Sequence, residues 1–238
     1  MVPRVIFAAG LGLALSWGCR DRGEDASSSG PPVTLGERHV GEYHLGPVEW
    51  EGSFWNSCGP YPSAVRSLEG QHLAGLGLAF NGDGQMCDAC IAIETDAGRS
   101  IVARVITTGE TSAPGNIDVS QSVFDAIRQN EYPRAMGWQV AACPGAGKIR
   151  YQFQTEASAW WTSLWVRNLR YPLEKVEVKS TNHPDWAPLR RGSDGTYTDG
   201  SGFGPGPFAL RLTALDGTII EDHYDGFKGG DLLESSGP

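Results

Sequence analysis

The 238-residue sequence is poor in positive charge: 19 Lys and Arg stand against 28 Asp and Glu, a formal net charge of −9. A chain so balanced repels phosphate backbones, which excludes nucleic acid as a partner and disfavours anionic polymers held by charge alone. It also lacks an apolar run long enough to span a bilayer. The N-terminal run from Val5 to Trp17 falls short of the roughly 20 residues a spanning helix needs. No GxSxG occurs, and no serine has a His and a carboxylate placed near it, so a hydrolase triad has no support. The five histidines (His39, His44, His72, His183 and His223) show no ligand spacing, and PGAGKI (144–149) lacks the first Gly and the Ser/Thr of a P-loop. DGSGFGPGPF (199–208) lacks the ordered acidic positions of a calcium loop and reads as a surface turn. No metal and no cofactor is expected.

Residues 1–18, with Arg4 before the apolar run, read as a secretory signal peptide, so the protein is expected to be secreted. Cys19 stands where the lipidated cysteine of a bacterial lipoprotein stands. Lipidation there would make it a cell-surface lipoprotein and supply its one link to a membrane. Residues 19–36, which include RDRGEDASSSGPPVTLG, are polar and aperiodic and read as a flexible tether. The other four cysteines are Cys58, Cys87, Cys90 and Cys143. CDAC (87–90) fits a redox pair or half a zinc site by spacing alone. In an exported chain, an even count instead reads as two disulfides, with each CxxC cysteine paired elsewhere.

Two unlike halves follow. From about residue 37 to Cys143, short apolar runs alternate with Gly, Pro, Asn and Asp breaks. Candidate strands are GLGLAF (75–80), CIAIET (90–95), SIVARVIT (100–107) and GWQVAAC (137–143), a spacing that suggests a barrel or sandwich. In DVSQSVFDAIRQ (118–129), Val123, Phe124 and Ile127 follow helical spacing, with Ser120 as N-cap. Beyond the short break at 143–148, IRYQFQT, SLWVRNL, KVEVKS and FALRLTAL each alternate apolar and polar residues, and no helical period appears. That half reads as an all-β sandwich, with GDLLESSGP frayed at its end. The expected division is a barrel at 37–146 and a sandwich at 147–238.

SAWWTSLWVRNLRYP (158–172) places three tryptophans in one apparent strand. Strand side chains alternate faces, so adjacent Trp160 and Trp161 would point opposite ways, with Trp160 inward. A turn or bulge before Thr162 would let both stand on one open platform. Trp165 shares a strand face with Trp161, roughly 13 Å away at ~3.3 Å per residue.

These motifs resemble the expansins. SAWWTSLWVRNLRYP is similar to the start of the expansin C-terminal module, FNGDGQMCDACIAIE to its CGxC-type strand, and NIDVSQSVFDAI to its Asp-containing segment before a helix. The similarity runs from about Gly41 to Phe227. The resemblance implies a mainly β chain: a six-stranded double-psi β-barrel, then an immunoglobulin-like β-sandwich acting as a carbohydrate-binding module. It implies disulfides Cys58–Cys87 and Cys90–Cys143. It also implies sugar stacking on Trp160 and Trp161, and Asp118 as the polar anchor of the barrel groove. Read from spacing alone, without the resemblance, Asp118 is a turn or helix-cap residue. The activity implied is non-hydrolytic loosening of cellulose-containing walls by a monomer.

Two departures qualify that reading. The family's Asp and Tyr in a TDxYP-like stretch are replaced by Thr107 and Gly109. Asp194 stands near the place of the third platform aromatic, which leaves Trp165 or Tyr197 to complete the stacking row. Three functions follow as expectations: an expansin-like protein that binds and loosens cellulose; a module that only binds or anchors to cellulose or peptidoglycan; and an endoglucanase-like or peptidoglycan hydrolase. The last would use Asp118 as acid, with Glu94, Asp83 or Asp88 as base. Arg167, Arg170, Arg190 and Arg191 are the candidates for a local basic patch.

Overall fold

Short strands with one apolar face each can bury that face by closing on themselves, and the N-terminal half does so. The structure is a computed structural model that describes residues 32–50, 57–66, 72–109, 113–128, 132–145 and 147–237. The expected signal peptide, Cys19 and most of the tether lie outside the described residues. Six strands, β1 (Thr34–Leu45), β2 (Leu73–Leu76), β3 (Cys90–Thr95), β4 (Ser100–Thr108), β5 (Ile117–Val119) and β6 (Ala135–Ala141), close in the order β1-β5-β2-β4-β3-β6. The pairs β1–β5 and β2–β4 are parallel, and the others are antiparallel. Tyr43, Ile91, Ile93, Val105, Ile117 and Val119 fill the interior. β4 is buried on both faces over Ala103–Thr107, because Ile106 packs outward against Val48, Tyr61 and Val65.

The helix at Gln121–Ile127 buries Val123, Phe124 and Ile127, as their spacing requires. Ser120 holds the N-cap position, yet its hydroxyl accepts from the Leu73 amide (3.1 Å) rather than capping that helix. GLGLAF is strand only to Leu76; Leu78–Asn81 is a helical turn. The Gly109 amide closes on the Leu76 carbonyl, and Phe80 then packs edge-on to Trp138 at 5.0 Å, a contact a continuing strand could not make. Thr34 and Leu35, expected in the tether, already pair with β6 as part of β1.

The second half forms two antiparallel sheets around one core, with no helix among its described residues. One sheet orders β10 (Ala187–Pro188), β9 (Leu173–Ser180), β13 (Phe208–Ala214) and β14 (Ile219–Tyr224). The other orders β11 (Arg190–Arg191), β12 (Tyr197–Asp199), β8 (Thr162–Arg167), β7 (Arg150–Phe153) and β15 (Leu232–Glu234). The C-terminal segment is thus not frayed: β15 pairs with β7, and the Ser235 hydroxyl accepts from the Ile149 amide (3.0 Å).

Barrel and sandwich belong to one compact unit and meet through a buried ion pair. Cys87 and Cys90 belong to different disulfides, Cys58–Cys87 and Cys90–Cys143, the pairing the family resemblance implied. Between them, Asp88 adopts a left-handed conformation (φ +65°) and aims its carboxylate at Arg167 of β8. Arg167 is fully buried. It also donates to the Cys58 and Pro60 carbonyls (3.2 Å each) and to Gln152 Oε1 (3.0 Å), and its guanidinium lies 4.0 Å from the Tyr61 ring centroid. Removing one partner of such a pair strands a buried charge. Asp88→Asn, which keeps the left-handed backbone and side-chain size, should lower unfolding stability by about 3–5 kcal/mol, read by denaturant titration. A loss under 1 kcal/mol would show that the pair does not hold the two modules.

Candidate functional site

The stretch 158–161 is a tight turn rather than the start of a strand. Ser158 and Trp161 pair across it: the Ser158 amide donates to the Trp161 carbonyl (2.7 Å), and the Ser158 hydroxyl accepts from the Trp160 amide (3.3 Å). β8 begins only at Thr162, whose hydroxyl donates to the Ser158 carbonyl (2.9 Å). Alternation therefore does not govern Trp160. It stands at the turn's tip, 69% exposed, and Trp161 beside it is 37% exposed. Large aromatics left this open on a well-formed turn are unusual for a surface with no ligand, because burying them is worth kilocalories.

The stacking row does not extend as the sequence suggested. Trp165 is only 6% exposed; its indole N–H donates to the Asp194 carbonyl (3.1 Å), and its ring lies against Gly59 of the barrel. Tyr197 is 8% exposed in the sandwich core, and burial pushes its hydroxyl pKa up, with the Arg191 guanidinium opposing. Both face protein instead of solvent because the sheet face that carries Trp165 is covered by the barrel, while Tyr197 faces the interior of the sandwich. Asp194 is a turn residue: its Oδ1 accepts from the Thr196 amide (3.1 Å) and hydroxyl (2.6 Å).

The barrel carries the second feature, a groove of about 320 Å³ lined by Leu45, Pro47, Thr107, Thr108, Gly109 and Asp118, among others. Asp118 sits mid-β5, paired with His44 of β1 and Gly75 of β2; Ile117 and Val119 point into the barrel and leave Asp118 facing out. The fit is close on two sides. A Cβ at Gly109 would come within 2.5 Å of Asp118 Oδ2, and one at Gly46 within 2.8 Å of Asp118 Cβ. Thr107 and Thr108 join Ser57 in a neutral hydroxyl cluster: the Ser57 amide donates to Thr107 Oγ1 (3.2 Å) and the Thr108 amide to Ser57 Oγ (2.7 Å).

None of the three carboxylates named as candidate bases lines that groove. Asp88 is committed to Arg167; Glu94 is exposed on β3 and 3.7 Å from Arg38; Asp83 accepts from the Gln85 amide (3.2 Å). The arginine patch does not assemble either. Arg167 is buried, and Arg191 turns inward to the Leu173 carbonyl (2.6 Å), leaving Arg170 and Arg190 exposed on separate segments. Among the described residues no group of three or more His, Cys, Asp or Glu could hold a metal ion.

Sequence reasoning missed the Asp88–Arg167 pair and the loop at 199–206 that lies under the tryptophan turn. An arginine in the alternating pattern of SLWVRNL was the available signal for the first. The glycines of DGSGFGPGPF were the signal for the second. Gly202 (φ +69°) lies so close that a Cβ there would come within 2.5 Å of the Trp160 carbonyl carbon. The tryptophans should separate by stability. Trp165→Ala should cost about 3–5 kcal/mol as a core truncation, whereas Trp160→Ala should stay within about 0.5 kcal/mol of the parent. Denaturant unfolding of the two variants checks this; similar losses would mean Trp160 is also a packing residue.

No protein-family model matches the chain. In sequence it is 26% identical over 111 residues to Expansin-YoaJ of Bacillus subtilis (strain 168), covering 46% of this chain and 47% of that protein. It is 20% identical over 154 residues to Expansin-like protein 6 of Dictyostelium discoideum, covering 61% of this chain and 53% of the relative. The matched stretch thus spans about half the length of these curated relatives. In structure, it superposes on apo Clavibacter michiganensis expansin with TM-score 0.68 at 16% identity, over 84% of this chain and 97% of that one. It superposes equally well (TM-score 0.68, 15% identity, 84% and 96% covered) on a variant of the Clavibacter protein solved in complex with cellohexaose. The chain is thus similar in sequence to bacterial and Dictyostelium proteins named as expansins or expansin-like, and it shares its fold with the Clavibacter expansin.

Proposed function

We propose that the chain is a non-hydrolytic, expansin-type protein that binds a cellulose-like β-glucan on Trp160 and Trp161. The observation that carries this is the braced turn that holds both indoles open, 69% and 37% exposed, at the head of β8. The cellohexaose complex of the Clavibacter variant supports the ligand class. An indole laid on the C–H face of a pyranose covers about half of the 150–250 Å² a large aromatic buries. At ~25 cal/mol per Å² that is worth roughly 2–3 kcal/mol per ring.

In this reading the barrel is a double-psi β-barrel and the sandwich an immunoglobulin-like module. Asp118 is the polar anchor of the groove, and the protein acts outside the cell as a monomer behind its signal peptide and tether. A lipid on Cys19 would fix it to a membrane. The groove favours a second reading, binding or anchoring to cellulose or peptidoglycan without loosening. Thr107, Thr108 and Ser57 offer neutral hydroxyls where the family has Asp, and Gly109 leaves Asp118 open where the family has Tyr.

Sedimentation with insoluble cellulose and with purified peptidoglycan, with reducing ends assayed in the same tubes, tests the proposal. Retention on cellulose without sugar release is expected. Loss of a single ring, in Trp160→Ala or Trp161→Ala, should weaken binding by about thirtyfold if it forfeits roughly 2 kcal/mol. Retention that ignores both tryptophans, or sugar release abolished by Asp118→Asn, would overturn it. Creep of a cellulose network under load then separates the two readings: extension marks loosening, and binding without extension marks anchoring.

A further inference from the structure

The sugar-stacking surface proposed above is not self-supporting. Two adjacent indoles on a four-residue turn would swing independently unless the backbone beneath them were held, and every ordering left until binding is subtracted from affinity. The holding groups come from the opposite sheet. The turn that leaves β9, 180–183, closes with paired Ser180 and His183 backbone bonds (2.8 and 3.1 Å) and carries Asn182 at its tip.

We propose that Asn182 is a positioning residue for the tryptophan platform, an inference that rests on the polysaccharide-binding reading. Its side-chain amide donates to the Ser201 carbonyl (3.1 Å) and the Gly202 carbonyl (2.9 Å), and its own backbone amide donates to the Phe203 carbonyl (3.3 Å). Three contacts bound for one short segment leave the 201–203 backbone a single path. That path runs directly against the turn. The Gly204 amide donates to the Ala159 carbonyl (2.8 Å), Gly202 packs backbone to backbone on Ala159 and Trp160, and the Phe203 amide donates to Thr162 Oγ1 (3.2 Å). Thr162 passes the constraint on, since the same hydroxyl donates to the Ser158 carbonyl (2.9 Å). Two more bonds close the bracket from behind: Thr181 Oγ1 to the Pro205 carbonyl (2.7 Å), and His183 Nε2 with Asp199 Oδ2 (2.6 Å). Every hydrogen bond described for Asn182 goes to backbone carbonyls of 201–203, so its effect on sugar passes through backbone it holds in place.

Removing that amide leaves the stacking rings and their chemistry intact but returns freedom to the turn. Reordering about one backbone residue on binding corresponds to a roughly five- to thirtyfold rise in Kd. Full binding isotherms of the whole protein on insoluble cellulose test this, because Kd and capacity separate. Asn182→Ala should raise Kd by that factor at unchanged capacity. A merely structural role would lower the capacity, as protein unfolds, and leave Kd where it was, which would overturn the proposal. Gly202→Ala, which pushes on Trp160 from below, is the second variant and should raise Kd in the same way. Hydrogen exchange of the amides at 158–161 reads the brace without any ligand. Faster exchange in Asn182→Ala is expected, and unchanged exchange would overturn the inference. A parent protein that does not bind cellulose would instead sink the polysaccharide reading, and the exchange rates alone would then judge the brace.

Discussion

The ion pair between Asp88 and Arg167 is the contact on which the arrangement of the two modules depends. Charges taken out of water are costly unless each polar atom finds a partner. Arg167 meets that condition with a carboxylate, two backbone carbonyls, the Gln152 amide oxygen and the face of Tyr61. The condition also explains the CDAC spacing. Two disulfides leaving in different directions, to Cys58 and to Cys143, clamp the left-handed turn between them, and the residue in that turn is the one that reaches across. The cysteines thus hold a charge in position as well as stapling the barrel.

β8 links this anchor to the open tryptophans. Its core-facing residues, Leu164 and Val166, join the sandwich interior. On the other face Arg167 and Trp165 are covered by the barrel, Ser163 is spent on the Thr198 hydroxyl (2.8 Å), and Trp161 emerges into solvent. Arg167 closes β8 about 17 Å from Thr162 at ~3.3 Å per residue, and Trp161 immediately precedes Thr162. A hydrogen-bonded strand bends little over that length, so the pose of the platform relative to the barrel is set at the buried end.

Groove and platform differ in how they could hold a glycan. The platform offers flat apolar rings and suits any chain that presents the C–H faces of its sugars. The groove offers a single carboxylate beside neutral hydroxyls, between two glycine backbones that approach Asp118 too closely for side chains. Under the proposed function, such a site would fix the register of a bound chain through hydrogen bonds, while the rings would supply most of the apolar burial.

Much of this was readable from the residues alone. The strands at CIAIET and SIVARVIT, the helix that buries Val123, Phe124 and Ile127 and the helix-free second half all rest on local period or composition, which act over a few neighbouring residues, whereas period alone turned Trp160 inward and only the family likeness implied an open pair. The disulfide pairing came through family likeness, since spacing by itself left the partners open. Trp165 and Tyr197 were misread for one shared reason: period 2 tells which face of a strand a residue occupies, never what covers that face. The GLGLAF strand, the tether's end and the frayed tail were misplaced for a related one, because Phe80, Thr34 and Leu232 take their conformations from partners distant in sequence. Sequence by itself determined which segments are strands and which side chains are chemically able to stack on sugar. Tertiary structure alone decided which tryptophans remain open and that Asp88 meets Arg167, 79 positions away. Burial and charge pairing between distant segments exist only once the chain has closed.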